Sequence, residues 1–199
     1  MAFQDEGEPT ELEDGTLVQP PIYVMGRYWC PEEGLHRKYQ EDGVNYPEWA
    51  RDGWITTTPG GTTRYDFVRR DINALAEEFE IAEIAVDRAH GHELMVQLAD
   101  DGFDVVKHAQ SMMAMTFPCR STEELILEAR LKHGDDPVLR WMAGNCAVVQ
   151  DGNDNIKIMK DKSGDRVDGM VALVMGVGRL LIAPEPTNFV YNNRGIYVA

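Results

Sequence analysis

Positive charge is scarce in this chain of 199 residues. Lys and Arg number 19 against 34 Asp and Glu, for a formal net charge of −15. That balance argues against a classical nucleic-acid binder, whose footprint is basic. It leaves room for an enzyme acting on DNA, because a few cations beside one groove, or bound metal ions, can bridge to phosphates. Cysteine is scarce too: Cys30, Cys119 and Cys146 lie far apart, with no CxxC pair or Cys/His cluster, which suggests neither a disulfide framework nor a zinc site and fits a reducing cytosol. The longest apolar run, 169–183, is broken by Arg179 and is short for a bilayer span. The acidic opening MAFQDEGEPTELEDG excludes a signal peptide. No G-x-x-x-x-G-K-[ST] or G-x-S-x-G occurs, and HGHE at 90–93 lacks the H-E-x-x-H spacing.

What is present is an ordinary globular composition, 43% hydrophobic and 27% charged, enough for one domain with a core. Residues 1–16 are expected to be disordered or loop-like, 17–183 to form the domain, and 184–199 to be an extended tail. IYVMGRYWC (22–30) reads as one strand by its β-branched and aromatic content. The spacing of Phe67, Ile72, Leu75 and Phe79 predicts a helix over 64–80. IAEIAVD, GHELMVQLADDG and FDVVKHA then read as strand, helix and strand, the rhythm of parallel strands joined by a crossover helix. Ser121 and Glu124 form an S-x-x-E capping box, predicting a helix from 121 to a stop at Gly134. A short helix over 136–145, a hairpin around DGND and a final helix over about 166–183 follow.

Two carboxylates stand out. Asp87 ends a predicted parallel strand, where sites of open α/β sheets gather; it reads equally as a cap or turn residue. Asp168 opens a helix that is apolar nearly all round, where the helix dipole alone favours an acid. A carboxylate held rigidly at the end of a buried helix also suits Mg²⁺ or Mn²⁺, which demand near-octahedral oxygen geometry. Asp165 is the alternative cap that would release Asp168 from that duty. Two acids of this kind suit two-metal phosphodiester hydrolysis, which takes at least a third to bridge the ions. Arg69, Arg70 and the run His36–Arg37–Lys38 read as exposed faces, and the tryptophans as core.

RYWCPEE, WITTTPGGTTRYDFVRRDI, IAVDR and the long series from VVKHAQ to RVDGMVALVMGVGRLL together resemble the nuclease domain of the large terminase subunit of tailed bacteriophages, over about residues 22–183. The resemblance implies an α/β, RNase H-like fold, a mixed central sheet flanked by helices. It implies cutting of concatemeric double-stranded DNA during genome packaging, with two Mg²⁺ or Mn²⁺ ions, in the host cell cytoplasm and away from membranes. Asp87 and Asp168 match the family's strand-end acid and the acid opening its last helix; Asn145 and Lys160 match positions near the site, and Asp165 is a possible neighbour. Implied partners are the terminase motor domain, the small terminase subunit and the portal. The family's first acid, on a first strand of the type G-x-D-x, has no match here, so the chain is expected to lack that strand. Two readings result: a metal-dependent endonuclease whose third acid comes from a missing segment or another polypeptide, and a catalytically idle module that docks DNA, the portal or the small subunit. Another RNase H-like enzyme, such as a resolvase or transposase, is a weaker third.

Overall fold

The computed structural model describes residues 1–4, 9–11, 13–15, 17–87, 91–159, 166–182 and 195–198. The chain opens with β1 (Ala2–Gln4), the small antiparallel pair β2 (Thr10–Glu11) and β3 (Leu17–Val18), and β4 (Ile22–Val24). Next come β5 (Tyr28–Pro31), α1 (Leu35–Asp42), α2 (Tyr46–Arg51) and β6 (Ile55–Thr58), which pairs in parallel with β5. The middle of the chain runs α3 (Tyr65–Glu78), β7 (Glu80–Asp87), α4 (His92–Asp100), β8 (Val105–His108), α5 (Met112–Leu127), β9 (Leu131–Lys132) and α6 (Pro137–Gly144). The hairpin β10 (Val148–Gln150) and β11 (Ile156–Ile158), then α7 (Asp168–Ile182) and β12 (Gly195–Val198), complete it.

The main sheet has the order β8-β7-β12-β1-β4-β9. It is mixed: β7 runs parallel to β8 and β12, while β1 is antiparallel to both β12 and β4. Alternation along β7 separates two layers. Ile84 packs with Ile72, Leu94 and Leu98 of α3 and α4, whereas Ala85 packs with Met115, Val171, Val174 and Met175 of α5 and α7. Leu98 and Val177 are fully buried; burying each such side chain stabilises by about 1.5–3 kcal/mol. α7 is covered on nearly every side, as its apolar sequence requires. Gly178 is part of that packing, since a Cβ there would meet the Pro118 ring of α5 at 2.5 Å. This is the mixed sheet flanked by helices that the resemblance implies.

Three local expectations are corrected. Within 1–16, Ala2–Gln4 is a sheet strand, paired on both sides, and Ala2 is buried; long-range pairing supplies what the polar local sequence does not advertise. The segment 22–30 is two strands, because the chain leaves the main sheet after Val24 and joins β6 from Tyr28 onward. The helix expected from 121 starts nine residues earlier as α5, and Ser121 lies inside it. Its cap is Ser111, whose Oγ accepts the Ala114 N–H at 3.2 Å. The helix runs through Pro118, and packing of α5 on α7 holds it across the missing donor. α5 stops at Leu127, and Gly134, expected as its stop, sits with φ of 60° in the turn before α6.

Candidate active site

Asp87 is the last residue of β7 and is half-buried. By strand alternation it shares the face of Glu83 and Ala85, the face turned to α7. Glu83 makes the orientation of that helix explicit. Arg179 donates from Nε to its Oε1 at 2.6 Å and from Nη2 to its Oε2 at 2.5 Å, a bidentate pair reaching from α7 to β7. From Glu83 to Asp87 the strand rises about 13 Å at about 3.3 Å per residue. From Arg179 back to Asp168 the helix rises about 16 Å at about 1.5 Å per residue. With Ala85, further along β7, packed against Val171, Val174 and Met175, nearer the start of α7, the helix runs antiparallel to β7 and its first turn lies toward the strand end that carries Asp87.

Asp168 opens α7 and is exposed. The turn that carries it is held closely: the Gly169 N–H lies 3.2 Å from the Met142 sulfur of α6, and a Cβ at Gly169 would meet that sulfur at 2.7 Å and Cε1 of Tyr28 at 2.9 Å. Tyr28 is itself anchored, its hydroxyl donating to Oδ2 of Asp136 at 2.8 Å. Burial, then that hydrogen bond and the carboxylate charge, push the Tyr28 phenol far above its ordinary pKa. Asp136 is buried and caps α6, its Oδ1 accepting the N–H groups of Val138 and Leu139.

Asp87 and Asp168 line one cavity of about 540 Å³. Its wall includes Ile72, Leu94 and Leu98 from one side of the sheet and Val171 and Met175 from the other. Among the described residues, β12 pairs with β7 up to Ile84, and β8 pairs with β7 up to Asp87.

Asn145 caps the end of α6, and its Nδ2 donates to the Arg166 carbonyl at 3.3 Å, tying α6 to the approach to α7. Lys160 and Asp165 lie outside the described residues. Three neighbours went unnoticed in the sequence. His108 is the register partner of Asp87 across β7 and β8. Burial pushes its pKa below the usual imidazole value. Arg27 and Gln110 line the cavity. His108 was legible as the residue that closes the next parallel strand; Arg27 carried no local signal. Among the described residues no three His, Cys, Asp or Glu side chains converge into a metal-holding set, and no helix is long and apolar enough to cross a membrane.

Comparison with known proteins gives this geometry a family. Residues 14–183 match the model of the terminase large subunit endonuclease domain. The chain is 34% identical over 170 residues to the terminase large subunit of Enterobacteria phage HK97, covering 84% of this chain and 33% of that protein. It is 26% identical over 165 residues to protein YmfN of Escherichia coli strain K12, covering 80% and 36%. The crystal structure of the HK97 bacteriophage large terminase superposes with a TM-score of 0.71 at 33% identity, over 85% of this chain and 35% of that one. The chain therefore spans about a third of the length of these relatives, and its fold is RNase H-like, as in that structural neighbour. From these matches, the chain belongs to the terminase large subunit endonuclease domain family.

Proposed function

We propose that this chain is a divalent-metal-dependent endonuclease that cuts concatemeric double-stranded DNA during viral genome packaging, with Asp87 and Asp168 as metal ligands. The observation that carries this reading is that two acids from distant parts of the chain line one cavity, at the end of a parallel strand and the start of a buried helix. Both are hard oxygen donors of the kind Mg²⁺ and Mn²⁺ take. When bound, two such ions supply an activated water and neutralise charge at the leaving 3′-oxygen.

The chain's own contribution is placement. The Glu83–Arg179 pair aligns α7 on β7, and the Tyr28 and Met142 contacts hold the first turn of α7. Asp87 is carried on a strand paired with β8 up to its last residue. Ligands fixed this way lose little freedom when a cation binds. The described residues supply two carboxylates, so the third donor comes from a segment outside them or from another polypeptide. In the packaging assembly the partners are the terminase motor domain, the small subunit and the portal, in the host cell cytoplasm.

The absence of a three-residue metal set among the described residues favours a second reading, an idle module that docks DNA or packaging proteins. Plasmid cleavage in Mn²⁺ separates the two. The comparison takes the chain, Asp87→Asn, Asp168→Asn and a version extended at its N-terminus. Nuclease action is expected to disappear in both variants. Equal cutting by parent and variants would remove the assigned ligands, and no cutting by either parent chain would favour the docking module.

A further inference from the structure

We propose that Arg27 is a phosphate-binding residue of the candidate active site, closing its guanidinium on a backbone phosphate of the DNA that enters between Asp87 and Asp168. The inference rests on the endonuclease reading and adds a substrate contact to it.

Arg27 lines the same cavity as the two acids and is exposed. In a chain of net charge −15, most of the described arginines are tied to carboxylates, among them Arg51 to Glu48 and Asp52, Arg69 to Asp101 and Arg179 to Glu83. Arg27, by contrast, has no carboxylate oxygen within 4.0 Å among the described residues, although two acids share its cavity. A cation left unpaired beside acids is available to an incoming anion.

Its backbone is well defined. Gly26 is pressed against the Tyr28 hydroxyl and the Asp136 carboxylate, with no room for a Cβ, and those two side chains are bonded to each other. Arg27 thus projects from a braced point between β4 and β5, with its side chain exposed. The guanidinium fork matches two phosphate oxygens, which an ammonium cannot do in the same bidentate way. The electrostatics favour such a group. The protein as a whole carries a net charge of −15, and a local cation beside the metal-holding acids offsets its repulsion of a phosphodiester where the strand must lie.

The test is fluorescence anisotropy with an end-labelled DNA duplex over a potassium chloride series, in EDTA and in CaCl₂, alongside plasmid cleavage in Mn²⁺. Arg27→Gln is expected to weaken duplex binding about ten-fold at low salt and to lower the slope of log affinity against log salt by about one, the signature of one lost phosphate contact. Arg27→Lys keeps the slope and recovers part of the affinity. Arg51→Gln, a remote exposed control, changes neither. Unchanged affinity and slope in Arg27→Gln, with a parent that binds and cuts DNA, overturns the Arg27 assignment alone. If neither the parent nor its N-terminally extended version binds or cuts DNA, the endonuclease reading and this inference are overturned together.

Discussion

Arg179 on α7 grips Glu83 on β7 through both of its carboxylate oxygens, at 2.6 and 2.5 Å, with only 11% of the Glu83 side chain exposed. Apart from Asp168 at its start, the rest of α7 is apolar, and apolar contacts are non-directional. A directional pair between two elements resists a slide of one helical turn, about 5.4 Å, which would carry Asp168 away from Asp87.

Removing one partner leaves a charge in a half-buried setting. Arg179→Gln is expected to destabilise by about 3 kcal/mol, the low end for a broken buried pair because the arginine side chain is 28% exposed. The double replacement Glu83→Leu with Arg179→Met is expected to cost less than Arg179→Gln alone. Urea unfolding of the single and double variants measures this, and a double variant worse than the single would contradict it.

Gly169→Ala places a methyl group against the Met142 sulfur and the Tyr28 ring. The first turn of α7 must shift, at about 1–3 kcal/mol for overpacking. Cleavage in Mn²⁺ is expected to fall further than stability alone explains, because Asp168 moves with that turn. Leu125→Ala is the comparison: a buried leucine of α5 outside the cavity, costing about 2–5 kcal/mol. At a temperature where both variants are folded, Leu125→Ala should retain more activity than Gly169→Ala.

The position of the α5 cap is checked by two serines. Ser111→Ala removes the side chain that accepts the Ala114 N–H and is expected to cost about 1 kcal/mol. Ser121→Ala, inside the helix, is expected to be neutral or slightly stabilising, since alanine is the better helix former. Thermal melts that rank the two in the opposite order would restore the capping box at Ser121.

Arg69 and Asn73 hydrogen-bond Asp101 and hold its carboxyl down to about 2, against an ordinary 3.8. A depressed folded-state value means that the unfolded chain takes up the proton first. The contribution to stability is therefore complete above about pH 4 and is lost as pH falls through about 2. Arg69→Gln should raise the Asp101 titration midpoint in carbon-detected NMR and flatten this part of the acid unfolding curve, leaving stability at neutral pH nearly unchanged, because the pair is exposed.

Much of the framework was legible locally. The β7–α4–β8 unit follows from alternating and helical apolar spacing, with Gly102 at φ of 97° ending the helical turn as its place in the sequence suggested. The short helix α6 announces itself by Asp136 and Pro137, a cap followed by a residue with no amide to satisfy. Where local reading failed, distant contacts decided. Nothing near Ala2 predicts a strand, because its partners are Val24 and Tyr197. Pro118 looks like a boundary until α7 packs against it.

The sequence by itself determined which segments are apolar, the bounds of α3, β7, α4, β8 and α6 to within a few residues, and that acids sit at the end of one strand and the head of one buried helix, since those properties arise from neighbours a few residues apart. Only the tertiary structure decided that Asp87 and Asp168 share a cavity, that His108 and Arg27 stand beside them, and that the C-terminal strand runs between β7 and β1. Those relationships depend on the alignment of α7 on β7 and on strand pairing across most of the chain, which no local pattern encodes.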